Sequence, residues 1–415
     1  MKSNYKRIGD IIRLVDERNM GLKVSTLLGL SISKQFIPSV ANIIGTDMEN
    51  YKIIRKNQFA CSTMQVRRDK KMPVALLQDS DEAIISQAYP VFEVVDTEGV
   101  LPEYLMMWFT RSEFDREACF YAIGGVRGSL EWEDFCNMSL PIPSIEKQRE
   151  IVKKYHTIIN RINLNNQLIQ KLEETAQAIY KQWFVDFEFP NTEGVPYKSN
   201  GGDMVESELG EIPSGWEVES LGDLIVHKKG FAFKSEDYVE KGVRIIRVSD
   251  FTDKSININN CFYLDEDKAK EHKQYLLKTH DIIITTVGSW PNNPSSIVGK
   301  VIIVPELANN ALLNQNAVRL KAKENNWQLF IYYRLKSKYF SDYVISGAQG
   351  SANQASVTLE HIFGFKVIMP DKKNKKNLFP ILIKINESIS KSTTENYYLS
   401  LLKELLLSKL ATLQE

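Results

Sequence analysis

The sequence predicts an α/β (α+β) fold with a pseudo-two-fold internal repeat, in which two similar globular domains alternate with two long helices that pair as an antiparallel coiled coil. Three observations lead there. Leu140-Pro141-Ile142-Pro143, then polar residues and a long amphipathic stretch, returns about 227 residues later as Val367-Ile368-Met369-Pro370, polar and basic residues, and a second helical pattern. Arg7-Ile8-Gly9-Asp10-Ile11-Ile12 is answered by Ser220-Leu221-Gly222-Asp223-Leu224-Ile225. Downstream of each proline phrase apolar residues fall seven apart, whereas upstream they come in short strand-like runs. A chain written twice presents two similar surfaces, which is the geometry of a two-site reader.

Residues 1–144 form the first globular domain. Ala83-Ile84-Ile85 and Val91-Phe92-Glu93-Val94-Val95 read as strands, and residues 102–114 as a helix opened by proline. The first long helix occupies 145–189. Ile151, Ile158, Asn165, Leu172 and Ile179 hold one seam of its heptad, and Tyr155, Ile162, Ile169, Ala176 and Trp183 the other. No glycine or proline interrupts the run, which favours a partner helix over a long surface helix lying on its own domain. At about 1.5 Å per residue, some 40 residues span roughly 60 Å. Asn165, a lone polar residue in the seam, is placed to fix register and partner.

Residues 190–215, rich in proline and glycine, read as a linker. The second globular domain, 216–370, has strand-like runs at 243–248, 281–285 and 299–304, and repeats the earlier helix at 327–340. In the closing helix, 371–415, one seam is Leu378, Ile385, Ser392, Leu399 and Leu406, and the other Leu382, Ile389, Asn396, Lys403 and Leu410. Ser392 matches Asn165, while Asn396 and Lys403 depart from an apolar seam.

At 415 residues the chain has room for two or three cores. Apolar and charged fractions of 43% and 25% are those of an ordinary globular protein. No run approaches the roughly 18 apolar residues of a membrane span. No signal-peptide core follows the first residues, so a cytoplasmic setting without membrane association is expected. Cys61, Cys119, Cys136 and Cys261 lack Cys-x-x-Cys spacing and read as reduced, mostly core residues. Scattered histidines suggest no metal site. The formal net charge is zero, so phosphate neutralisation, if any, falls to local patches or to a partner.

Three phrases stand in order within this repeat: Leu140-Pro141-Ile142-Pro143-Ser144-Ile145-Glu146-Lys147-Gln148-Arg149-Glu150-Ile151, Gln182-Trp183-Phe184-Val185-Asp186-Phe187-Glu188, and Gly210-Glu211-Ile212-Pro213-Ser214-Gly215-Trp216-Glu217. Together with the repeat and the heptads, they resemble the DNA-specificity subunit of type I restriction–modification systems. The resemblance covers essentially the whole chain, although each phrase alone is only moderately specific. It implies that 1–144 and 216–370 are target-recognition domains, each reading one half of a split target in double-stranded DNA. The helices 145–189 and 371–415 would space them and dock two methyltransferase (modification) subunits, with restriction/translocase subunits completing the complex. The chain would be non-catalytic and hold no cofactor; S-adenosylmethionine, ATP and Mg²⁺ would belong to the partners.

Enzyme motifs are missing. Amino-directed methyltransferases hold the flipped base with an Asn/Asp-Pro-Pro-aromatic turn, and the nearest phrase, Asn293-Pro294-Ser295-Ser296, does not qualify. Pro370-Asp371 lacks a downstream acid-x-Lys for a nuclease centre, and no Walker A lysine loop occurs. Gly124-Gly125-Val126-Arg127-Gly128 follows no clear strand before a helix, as a phosphate cradle should.

DNA readers need cations for phosphates and forked or amide side chains for base edges. In the first domain Arg67, Arg68, Lys70 and Lys71 read as an exposed basic loop, and Arg127 and Ser129 lie on a glycine-rich loop. In the second, the candidates are Lys228 and Lys229, Arg244 and Arg247, and Asn292 and Asn293 beside Trp290. Gln349, Ser351, Asn353 and Gln354 lie on a polar loop that the repeat aligns with the Gly124 loop. A plainer role stands against each group: solvated charge for the basic segment, an ion pair for the two arginines, packing for Trp290. Unlike loop residues in the two domains imply an asymmetric target. A regulator or scaffold without a methyltransferase partner is the rival reading, which a neighbouring methyltransferase gene would exclude. A stand-alone modifying enzyme would transfer methyl groups as the purified chain.

Overall fold

The computed structural model describes residues 4–39, 46–64, 66–122, 128–252, 255–292, 297–324 and 327–412, with the side chains of 372–378 outside that description. Contacts divide the chain into two compact units, Met1–Asn163 with Asn396–Glu415, and Leu164–Glu395. Each unit therefore holds one half of each long helix.

A four-stranded antiparallel sheet forms the centre of the first unit, in the order Ile12–Val15, Val91–Val94, Phe59–Cys61, Val74–Leu76. Phe59 and Phe92 are register partners on neighbouring strands and stack at 5.0 Å. Phe109, Phe114 and Phe135, from helices, join them in one buried cluster. Burying each ring contributes roughly 1.5–3 kcal/mol.

The second unit repeats the order with Ile225–Lys229, Ala317–Ala322, Ile282–Thr285 and Val301–Ile303, again antiparallel throughout. In both, two helices follow the sheet and a short helix comes next. A strand paired with the first strand of the domain then leads into a long helix: Ser139–Pro141 with Tyr5–Arg7, and Lys366–Met369 with Glu217–Ser220. The sequence repeat is a repeat of topology.

The repeated Gly-Asp phrase has a packing cause. Ile8 and Leu221 are fully buried, and their N–H groups donate to the carbonyls of Met138 and Phe365, each at 2.8 Å. A Cβ on Gly9 would stand 2.9 Å from Cys136 Cβ, and one on Gly222 3.1 Å from Phe363 Cβ. Each glycine lets the chain pass close against the equivalent short helix, Trp132–Asn137 or Leu359–Phe363.

Several elements differ from expectation. The helix expected over 102–114 is two, Pro102–Thr110 and Ser112–Tyr121, because Arg111 is extended (φ −67°, ψ 143°). Its counterpart over 327–340 divides likewise into Gln328–Leu335 and Lys338–Ser346, the latter capped by the Ser337 side chain on the Phe340 N–H. The strand expected over 243–248 ends at Ile246. The proline- and glycine-rich stretch 190–215 is ordered, with a hairpin of Met204–Ser207 and Gly210–Pro213 and a buried Ile212. Phe184, Phe187 and Phe189 gather round Trp216 at centroid separations of 6.0, 5.7 and 5.0 Å. That aromatic cluster is what the phrases 182–188 and 210–217 encode.

The long helices are Ile145–Phe184 and Lys372–Lys409. Their heptad seams are their covered faces. Ile151, Ile158, Asn165, Ile169 and Ala176 are buried on the first, and Leu382, Ile385 and Ser392 on the second, with Leu410 buried in the turn that follows it. Ile162, Leu172, Ile179, Ile389, Leu399 and Leu406 are half-buried; the Leu378 side chain lies outside the described residues. Within each unit the pairing is antiparallel. In the first, Ile151 shares a core with Leu407 and Leu410, while Tyr155 lies near Glu404. In the second, Asn165 Nδ2 donates to Glu395 at 2.8 Å, and Ala176 shares a core with Leu382 and Ile385.

Candidate nucleic-acid interface

In the first unit the basic segment joins the strands Phe59–Cys61 and Val74–Leu76. It is a one-turn helix, Val66–Asp69, rather than the expected loop, and Lys70 at φ +53° turns the chain out of it. Arg67, Arg68, Lys70 and Lys71 are all exposed. Arg68 pairs with Asp69 at 2.7 Å and holds its carboxyl below the usual carboxylate range. Both ends are anchored. Val66 is buried, and the Met72 N–H donates to Asp115 Oδ1 at 3.1 Å, the same oxygen that receives Lys34 Nζ at 2.8 Å. This buried Lys34–Asp115 pair escaped sequence reading, because its members lie 81 positions apart.

Gly128, at φ +73°, approaches so closely that a Cβ there would stand 2.8 Å from Arg67 Cβ. The Leu130 N–H donates to the Thr63 carbonyl at 2.8 Å. The fold thus brings the half-buried Ser129 to the basic segment. Arg127 lies outside the described residues.

In the second unit the connection between the corresponding strands, Ile282–Thr285 and Val301–Ile303, carries Trp290 and the exposed Asn292; Asn293 is outside the described residues. The polar loop expected over 347–354 is instead largely a β-hairpin. Gln349–Ser351 pairs with Gln354–Ser356, whose outer face pairs in turn with Val287–Gly288. Gln349, Ser351, Asn353 and Gln354 are all exposed on it. Trp290 Nε1 donates to the Ser351 carbonyl at 2.8 Å, tying the two segments together. The same two connections therefore meet in both units: the one after the third strand position of the sheet's repeat, and the one before the short helix.

Lys228 and Lys229 lie near by topology. Val318 pairs with both Lys229 and Ile284, which puts these lysines at the end of the sheet from which Thr285 continues toward the hairpin. Lys229 is exposed, whereas Lys228 Nζ sits 4.9 Å over the Tyr275 ring. Arg247 pairs with the buried Asp250 at 2.9 Å and lies 4.1 Å over the Phe262 ring, so its plainer role, a structural ion pair, is the one present. Arg244 is half-buried, with its Nε lacking a hydrogen-bond partner. Burial pushes the Cys61 thiol up and that of Cys261 up to about 11, the behaviour of core thiols rather than nucleophiles.

Exposed cations beside amides and hydroxyls can neutralise phosphates and read base edges. Among the described residues, no group of three or more His, Cys, Asp or Glu could hold a metal ion. No helix among them is long and apolar enough to cross a membrane.

Comparison with known proteins agrees with this architecture. The family model described as type I restriction modification DNA specificity domain matches residues 40–174 and 213–404. The type I restriction enzyme MjaVIII specificity subunit of Methanocaldococcus jannaschii is 26% identical over 283 residues, 67% of this chain and 62% of that one. The HindI specificity subunit of Haemophilus influenzae is 21% identical over 436 residues, 89% of each chain. The chain thus spans less than two thirds of the first relative and most of the second. The type I restriction–modification S subunit from M. genitalium shares the fold, with a TM-score of 0.57 at 14% identity over 100% of this chain and 98% of that one. With the domain matched twice over most of its length, the chain belongs to the type I restriction modification DNA specificity family.

Proposed function

We propose that this chain is the non-catalytic, sequence-specific DNA-recognition subunit of a type I restriction–modification complex. Each unit reads one half of an asymmetric bipartite target in double-stranded DNA. The paired helices set the spacing and dock two methyltransferase subunits, and restriction/translocase subunits join the full assembly. S-adenosylmethionine, ATP and Mg²⁺ bind to those partners, and the complex works in the cytoplasm, the compartment of its DNA.

One observation carries the proposal. The same two connections meet in both units, yet they bear unlike side chains: an arginine- and lysine-rich turn in one, Trp290 with a polar hairpin in the other. Shared scaffolding with different exposed chemistry is what two different half-sites require. Each mismatched base pair then costs roughly 1–3 kcal/mol, adding across both halves.

The test is co-expression of the chain with the methyltransferase subunit encoded beside it, in a host without DNA methylation, followed by single-molecule sequencing of modified bases. A split, asymmetric motif that vanishes when this chain is omitted is the expected result. An unmethylated genome, with both proteins folded and associated, would instead favour a regulator or scaffold.

A further inference from the structure

Between the paired strands Leu28–Leu30 and Phe36–Pro38 the chain turns through Ser31-Ile32-Ser33-Lys34-Gln35. By composition this is an ordinary hairpin tip whose one charge belongs in solvent. The fold does the opposite. Leu28, Leu30 and Phe36 lean on the small core around Ile54, Ala60 and Ile85. The turn closes with the Ser31 N–H donating to the Gln35 carbonyl and the Lys34 N–H to the Ser31 carbonyl, each at 3.0 Å. Lys34, at φ +64°, is buried. Its Nζ donates to Asp115 Oδ1 at 2.8 Å and to the Phe109 carbonyl, and lies 4.9 Å from the centre of the Phe114 ring.

Two costs meet in this residue. A side chain held in the left-handed region is strained, and a buried ion pair seldom stabilises more than an apolar pair of similar volume. What the pair does supply is position. Asp115 Oδ1 also accepts the Met72 N–H at 3.1 Å, at the exit of the basic segment. One carboxylate oxygen therefore fixes the hairpin tip to the segment that carries Arg67, Arg68, Lys70 and Lys71. Burial lowers the Lys34 ammonium below the usual lysine range; Asp115 opposes this and the nearby charge of Lys71 adds to it. Around the anchor the tip leaves Ile32 46% exposed and Gln35 exposed, and the Gln35 side-chain amide has no hydrogen-bond partner among the described residues. A free amide and an accessible apolar side chain, held beside exposed cations, have the chemistry of a base-reading surface. The cations hold phosphates and fix position, while amide and apolar groups meet base edges.

We infer that this tip is a second reading element of the first half-site, with Gln35 and Ile32 as specificity-determining residues. The Lys34–Asp115 pair is the positioning device that keeps the tip in register with the basic segment. The assignment rests on the DNA-recognition reading given above. An amide makes a bidentate contact with adenine, and an apolar side chain packs on the methyl of its paired thymine, so the base pair read is A·T.

The test compares methylomes of the wild-type chain, Ile32→Ala with Gln35→Ala, Lys34→Met with Asp115→Leu, and the four alanine substitutions at Arg67, Arg68, Lys70 and Lys71, each co-expressed with the methyltransferase partner in a methylation-free host. I32A/Q35A changes only exposed side chains and is expected to relax an A·T position, with discrimination there falling roughly tenfold or more. The relaxed position should lie in the half of the motif that the basic-segment variant alters, with the other half read as by the wild type. Methylation gained at formerly excluded sites is a result that misfolding does not produce. K34M/D115L keeps the core filled without the charges and is expected to relax the same half, although both tip side chains remain; a purely structural pair would leave the motif as it was. An unaltered motif, a change in the opposite half, or a uniform loss with no position relaxed in I32A/Q35A would overturn the reading role of the tip. An unaltered motif in K34M/D115L would overturn the positioning role of the pair. A wild-type chain that yields no split motif would overturn the recognition reading itself, and the tip's role with it.

Discussion

Gln148 shows how a phrase that looks like a signature can be a structural requirement. Its side chain is fully buried; Nε2 donates to the carbonyls of Gly99 (2.9 Å) and Pro143 (2.8 Å), and Oε1 accepts from the Leu101 N–H at 2.9 Å. One amide thus joins the start of a long helix to the start of the Pro102–Thr110 helix. Gln148→Met keeps the volume and abandons three backbone groups, one in a buried and two in partly buried hydrogen bonds, so it should destabilise the first unit by about 2–4 kcal/mol, read as a lower unfolding midpoint of the full chain. The Lys34–Asp115 pair makes a similar case at the basic segment. Asp115→Ala leaves a buried cation uncompensated and should cost about 3–5 kcal/mol, whereas Lys34→Met combined with Asp115→Leu should cost less than that single change. Arg67 and its neighbours are surface residues, and under the proposed function their effect belongs to binding. In the complex with methyltransferase, Arg67→Ala should leave stability unchanged and reduce the slope of log K against log salt by about 0.9 if it removes one phosphate contact. An unchanged slope for Arg67, Lys70 and Lys71 variants alike would take DNA contact away from this segment.

At the scale of elements, the helix pair was legible because a seven-residue period is a property of the sequence itself, and the buried seam runs through the same residues. Pro380 is the irregularity. It lies inside the second helix and is exposed, so it lacks the N–H for a bond one turn back while packing against nothing that demands proline. Pro380→Ala should therefore raise the unfolding midpoint, by up to about 3 kcal/mol in stability. Asn165 works in the opposite sense. Asn165→Ala removes a partly buried hydrogen bond to the Glu395 carboxylate and should cost about 1.5–3 kcal/mol. Other elements were not legible, each for a definable reason. The hairpin Gln349–Ser351 with Gln354–Ser356 contains almost no strand-favouring side chain, and pairing with Val287–Gly288 decides its conformation. Residues 190–215 have the composition of a linker and are mostly exposed, but the buried Ile212 and the Phe189–Trp216 stack that joins their two ends hold them in place. The breaks at Arg111 and Ser337 interrupt apolar runs that continue the helical period on both sides, so periodicity alone passes over them.

For the whole molecule, the repeat in sequence proved to be a repeat in strand order, in edge pairing and even in the glycine that lets the first turn pass the short helix. The two candidate interfaces were only half legible. Their residue types could be read from the chain, but the meeting of the basic turn with Gly128 and Ser129, and of Trp290 with the hairpin, depends on contacts between segments roughly 60 residues apart. The central claim is that each unit reads its own half of one target, and a pair of methylomes tests it most directly. One chain would carry Arg67→Ala, Arg68→Ala, Lys70→Ala and Lys71→Ala; the other would carry Gln349→Ala, Ser351→Ala and Gln354→Ala, each expressed with the methyltransferase subunit. The expected result is that each set weakens or relaxes one half of the split motif and leaves the other half as read by the wild type. Both sets altering the same half, or either set altering both halves alike, would contradict it.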